Sequence, residues 1–180
     1  MANLLMHRRE ALQKLAILLG GTLSLPAQAA LLGEKINSIA IDIPTDQQEL
    51  ISELADVIMP ETENPGAKKA GVGKFIVRVI QDCTAKEEQD KFLQGLQKIN
   101  TLSQTTYSKS FNKLDRTQQN EIMGKIARQE NDFFKGLREL TVVGFFTSQI
   151  GATQVLQYLP VPGKFQGDIP LEPSQRTWSL

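Results

Sequence analysis

Apolar residues recur at helical intervals through the centre of the chain. Leu50, Ile51, Leu54, Val57 and Ile58 stand at i, i+1, i+4, i+7 and i+8, which puts one apolar stripe on a helix. Thr45 and Gln48, just after Pro44, have the spacing of a capping box, and Pro60 ends the stripe. The stretch Pro60-Glu61-Thr62-Glu63-Asn64-Pro65-Gly66 reads as a loop stiffened by its prolines and turned at Gly66. A second stripe follows in Val72, Phe75, Ile76, Val79, Ile80 and Cys83. Thr84 with Glu87 offers another capping box, ahead of a third helix with Phe92, Leu93, Leu96, Ile99 and Leu102 inward. That helix ends near Tyr107 to Ser110, where Thr, Ser and Tyr outnumber strong helix formers. Asp115 with Gln118 opens a shorter helix bearing Ile122, Met123 and Ile126. Asn131 or Asp132 caps the next, which carries Phe133, Phe134, Leu137, Leu140, Phe145 and Phe146. Gly144 inside it costs up to about 1 kcal/mol relative to alanine, so close packing is its expected role.

The pattern breaks after Thr147. Gly151, Pro160, Pro162, Gly163, Gly167, Pro170 and Pro173 leave room for one short helix, Ala152 to Tyr158, and then an extended tail. Tyr158, Phe165 and Trp178 on such a segment either pack back on the helices or anchor a partner. Ile39, Ile41 and Ile43 alternate weakly before Pro44, and this stretch reads as a spacer. The prediction is an all-α chain: a single domain of about five to six helices over 45–158, a spacer at 30–44, and an irregular proline-rich tail at 159–180.

The first 29 residues follow different rules. Arg8-Arg9, Leu12, an apolar run from Leu15 to Leu25, then Pro26, Ala27 and Ala29 compose a cleavable export signal with an A-x-A site. The arginine pair points to the twin-arginine route for folded cargo, and so to the periplasm. A general secretory signal and an uncut membrane-surface anchor are the alternatives. The run of 11 residues is far short of the about 20 that a membrane-spanning helix needs. Cleavage after Ala29 removes Arg8, Arg9, Lys14 and Glu10 from 20 basic and 20 acidic residues, leaving 17 and 19. A net charge of −2 without long single-sign runs does not resemble a nucleic-acid footprint.

Chemistry-bearing residues are sparse beyond the signal. His7 is the only histidine, so the cleaved chain has neither the usual general base nor the commonest metal ligand. Cys83 is the only cysteine; it reads as a buried core thiol or as half of a disulfide to another subunit. Gly71-Val72-Gly73 lacks the third glycine of a nucleotide loop. Glu61/Glu63 and Glu87-Glu88 are explained by solvation or helix capping. No catalytic, cofactor-binding or metal residue is assigned.

In chain order, Asp56-Val57-Ile58-Met59-Pro60-Glu61-Thr62-Glu63-Asn64-Pro65-Gly66-Ala67, Phe92-Leu93-Gln94-Gly95-Leu96, Phe133 to Thr141, Gly144-Phe145-Phe146-Thr147-Ser148 and Val161-Pro162-Gly163 form a distinctive set. Together they resemble the small, or gamma, subunit family of gluconate 2-dehydrogenase, over about Leu50 to Gly167. The resemblance implies a non-catalytic accessory subunit of a periplasmic or membrane-associated sugar or polyol dehydrogenase. FAD and the catalytic residues would belong to a large flavoprotein of the glucose-methanol-choline type, and a cytochrome c subunit often takes the electrons onward. The signal would then export the loaded flavoprotein as well. Two positions depart from the family pattern: Gln149 replaces a frequent Glu, and Gly167-Asp168 stands where many members have a cysteine. The second departure leaves Cys83 without an intrachain partner and favours the buried thiol. The expected partner interface comprises Phe145, Phe146, Tyr158, Phe165 and Trp178, with the Pro60 and Pro65 loop as a second contact. The alternatives are a stand-alone periplasmic helical binding or chaperone protein, which needs an apolar pocket, and an enzyme using carboxylates alone.

Overall fold

The computed structural model describes residues 41–159, 161, 163, 164, 170 and 173–179. The expected signal residues Arg8, Arg9, Leu12, Ala27 and Ala29, and the aromatic Phe165, lie outside them. Among the described residues five α-helices follow one another: α1 (Thr45–Ile58), α2 (Val72–Cys83), α3 (Lys86–Tyr107), α4 (Arg116–Gln129) and α5 (Asn131–Phe146). A 3-10 turn (Phe111–Lys113) joins α3 to α4, and a π-helical turn (Gly151–Val155) follows α5. Among the described residues there is no strand, only an isolated bridge, and no helix long and apolar enough to cross a membrane. The chain is all-α, as its periodicity predicts.

Helix α1 lies at the centre and touches every other α-helix. Leu50, Ile51, Leu54 and Ala55 form its buried face, and full burial stabilises by about 1.5–3 kcal/mol for each large aliphatic side chain. Three glycines let helices approach closely. A Cβ at Gly73 would stand 2.8 Å from Ser52 on α1, one at Gly95 2.2 Å from the Phe133 ring, and one at Gly144 2.5 Å from the Phe75 ring. Gly144 thus has the packing role expected of it. Cys83 lies in the core, buried as the thiol reading expects.

The helix starts follow the expected capping only in part. At α4 the capping box is complete, with Gln118 N donating to Asp115 and the Asp115 backbone donating to the Gln118 side chain. Thr45 instead lies inside α1, where Pro44 O already accepts from Gln47 N and Gln48 N. The Gln48 amide turns outward from the helix start and donates to Ile43 O at 2.7 Å. Thr84 faces backwards as well: its hydroxyl donates to Val79 O at 3.0 Å, and the buried Gln89 amide donates to Ile80 O at 2.9 Å. Both side chains thus turn back onto buried carbonyls in the last turn of α2 instead of capping α3. Helix α5 has Glu130 at its N-cap position, one residue before the expected Asn131 or Asp132.

Two regions differ more from expectation. Ile43 is fully buried and Ile41 half-buried, and Gln81 donates to Ile41 O at 2.8 Å. The end of the expected spacer therefore belongs to the packed body. After α5, the expected helix Ala152–Tyr158 is a π turn ending at Val155, and the chain is extended at Leu156.

Candidate partner-docking surface

Helix α5 is apolar on two adjacent faces. Leu137, Leu140 and Phe145 face the core, whereas Val142 and Phe146, one turn apart, are 39% and 37% exposed. A helix with one such stripe is covered by its own domain; a second stripe needs another cover. Ser148 closes the helix end: its hydroxyl donates to Phe145 O at 2.7 Å and accepts from Gly151 N at 3.0 Å. Gly151 is forced by this turn, because a Cβ there would stand 2.0 Å from the Phe145 carbonyl oxygen.

The extended segment beyond the π turn receives the C-terminal part of the chain. Gln157 and Trp178 form a parallel bridge, with Gln157 N donating to Thr177 O at 2.8 Å and Ser179 N to Gln157 O at 2.9 Å. The Arg176 guanidinium adds a bond to Gln154 O at 2.7 Å. This pairing brings Trp178 to the end of α5. Phe146, Thr147, Ala152, Leu156, Tyr158, Thr177, Trp178 and Ser179 then line one open groove of about 570 Å³. None of these side chains is charged. The large apolar residues exposed among the described ones are Val142, Phe146, Tyr158, Leu159, Val161 and Trp178, and all of them occur from α5 onward. Concentration of that kind, on a body otherwise covered by charge, marks an interaction surface.

A second groove, of about 700 Å³, lies where the Pro60–Ala67 loop meets α1 and α4. Asp56, Glu61, Lys68, Lys69, Arg116 and Asn120 line it, with Val57 and Pro60. Its charges are matched within the chain: Asp56 pairs with Arg116 at 2.5 Å, Glu61 with Lys69 at 3.3 Å, and Glu53 with Lys68. The hydrogen bond from Lys68 to Glu53 holds that ammonium above its ordinary value. Gly66 nests against this network, since a Cβ there would lie 2.6 Å from Glu61 N and 3.1 Å from Asp56.

Of the predicted interface residues, Phe146, Tyr158 and Trp178 are exposed and share the first groove. Phe145 does not belong with them: at 3% exposure it is a core residue, its ring edge-on to Phe146 at 5.3 Å. The helix rotates it inward beside Leu137 and Thr141. Pro60 is exposed in the charged groove, and Pro65 is half-buried beside it. Sequence reasoning passed over Val142, Leu159 and Val161, although apolar residues beside Pro160 and Pro162 have no helix in which to hide. Among the described residues no group of three or more His, Cys, Asp or Glu side chains is placed to hold a metal ion.

Residues 45–163, from the start of α1 to just past the extended segment, match the family described as gluconate 2-dehydrogenase subunit 3. This chain belongs to the gluconate 2-dehydrogenase subunit 3 family. No curated protein and no solved structure matches it. Subunit 3 membership makes the exposed apolar end of α5 meaningful, because a subunit of a dehydrogenase complex has other subunits to meet. The family range takes in the whole helical body, the charged groove and one wall of the aromatic groove.

Proposed function

We propose that this chain is the non-catalytic small subunit of a periplasmic FAD-dependent dehydrogenase of the glucose-methanol-choline type, acting on a sugar or polyol. Its role is to bind, stabilise and co-export the flavoprotein subunit, which holds the FAD and the catalytic residues. A cytochrome c subunit is the expected electron acceptor. The observation that carries this reading is the gathering of exposed Phe146, Tyr158 and Trp178 in one uncharged groove at the end of α5 in a family member. Burying such a surface against a flavoprotein removes apolar area from water at about 25 cal/mol per Å². Arg8 and Arg9 supply the export signal for both chains under this reading.

The test is co-expression of the full chain with a flavoprotein of the glucose-methanol-choline type from the same genome. The isolated chain purifies colourless, and the complex purifies yellow. Replacing Arg8 and Arg9 with lysine leaves both proteins in the cytoplasm. An isolated chain that holds FAD or oxidises a sugar removes the accessory role, and flavoprotein activity that still reaches the periplasm removes the escort role. A stable monomer that ignores the flavoprotein and retains a small ligand of its own would favour the stand-alone binding protein.

A further inference from the structure

The family match ends at Gly163, but the aromatic groove does not. One wall, formed by Phe146, Thr147, Leu156 and Tyr158, lies within the matched range. The facing wall is Thr177, Trp178 and Ser179, beyond it. That second wall is seated by backbone pairing: Gln157 N donates to Thr177 O, and Ser179 N donates to Gln157 O. Backbone bonds of this kind do not depend on which side chains the segment carries. The segment can therefore change its side chains and keep its place, while the opposite wall follows the family pattern.

We infer that residues 176–179 are a strap that sets which dehydrogenase subunit this chain accepts, by gripping an uncharged, apolar segment of that subunit between Trp178 and the end of α5. The inference rests on the reading above that the chain assembles with such a subunit. Charge complementarity selects the occupant. The groove has no charged lining residue on a chain that is 22% charged, so a charged segment would be desolvated there without a counter-charge. Apolar side chains meet no such penalty, and Trp178 and Tyr158 each add a polar tip that can fix their orientation. Tryptophan and tyrosine are also the residue types that most often dominate interface energetics.

The experiment measures affinity of the full chain for two flavoprotein subunits: the one that co-purifies with it and one from another subunit 3 system. Wild type is compared with Trp178→Ala and with a chain ended at Gln175. Binding of the chain's own flavoprotein is expected to weaken about tenfold or more in both variants, on the scale of a lost aromatic anchor. Binding of the foreign flavoprotein changes far less, so the preference collapses. Helical circular dichroism stays at the wild-type level, because the strap contributes nothing to the α1–α5 core. If wild type binds its flavoprotein and both variants bind it equally well, the strap inference fails while the subunit reading stands. A wild-type chain that binds no flavoprotein defeats both. A dimer that dissociates on Trp178→Ala, with flavoprotein binding unchanged, gives the groove to a second copy and overturns the inference.

Discussion

The groove beside Pro60 and the groove beside Phe146 are similar in size and opposite in character. Around Pro60, Asp56 meets Arg116, Glu61 meets Lys69 and Glu53 meets Lys68, so the charges are answered by other residues of the same chain. Around Phe146 two aromatic walls face each other, and no charged side chain lines the space between them among the described residues. The first groove is a joint: it ties α1 to the start of α4 and to the residues that follow its own loop. The second is an opening at the end of a helix whose Val142 and Phe146 stay exposed among the described residues. Motif strength in the sequence does not separate the two, since Asp56–Ala67 and Gly144–Ser148 are both family segments. Pairing of charge within the chain does.

The largest effect that tests this contrast is expected from Gly151→Ala. Its Cβ would fall 2.0 Å from the Phe145 carbonyl, so the π turn must be rebuilt. Overpacking of this kind costs about 1–3 kcal/mol, readable in a urea unfolding curve, and flavoprotein binding should fall with it. Retained binding at wild-type strength would show that the wall formed by Leu156 and Tyr158 is not needed. Next come two substitutions with opposite outcomes for binding. Phe146→Ala is expected to reduce flavoprotein binding about tenfold or more while stability falls by only about 1 kcal/mol, through loss of the ring pair with Phe145. Asp56→Ala should lower stability by on the order of 1 kcal/mol, through loss of the Arg116 pair, and leave binding intact. Reversal of these two results would assign the partner to the charged groove. Arg176→Ala acts more locally: hydrogen exchange at the Gln157 and Ser179 amides should quicken, with the global unfolding transition unmoved.

The smallest effect belongs to Glu121, outside both grooves. A hydrogen bond from Lys125, and then one from Tyr107, holds its carboxyl below the ordinary 4.5. Its contribution to stability is therefore present above that value and fades as pH falls through the lowered one. Glu121→Gln should flatten this part of an acid titration slightly, and a steeper acid response in the variant would contradict the assignment.

Side-chain periodicity carried most of the fold into the sequence. The stripes of α1, α2, α3 and α4 are the faces now buried, because a 3.6-residue repeat and a core leave few other arrangements. Capping was less legible. Asp115 and Gln118 cap α4 on an exposed corner with no competitor, whereas Thr84 and Gln89 are claimed by the buried carbonyls at the end of α2. A local motif cannot reveal such a rival. Phe111 is fully buried in a 3-10 turn among Ser110, Asn112 and Lys113, where no repeat exists to announce it. The aromatic cluster was legible as residue types but not as a place. Phe145 and Phe146 are neighbours in sequence, yet one faces the core and the other solvent. The pairing of Gln157 with Trp178 uses backbone groups, which leave no trace in side-chain pattern.

Trp178 is the only tryptophan of the 180 residues. It stands on the segment proposed to grip the partner, with 42% of its surface open to water. Fluorescence excited at wavelengths that indole alone absorbs thus comes from a single position in this chain. That emission moves to shorter wavelength as water leaves the ring, and to longer wavelength as the segment lifts from Gln157. Seating and release of residues 176–179 can accordingly be followed in the isolated chain by its own colour of fluorescence, with no label attached.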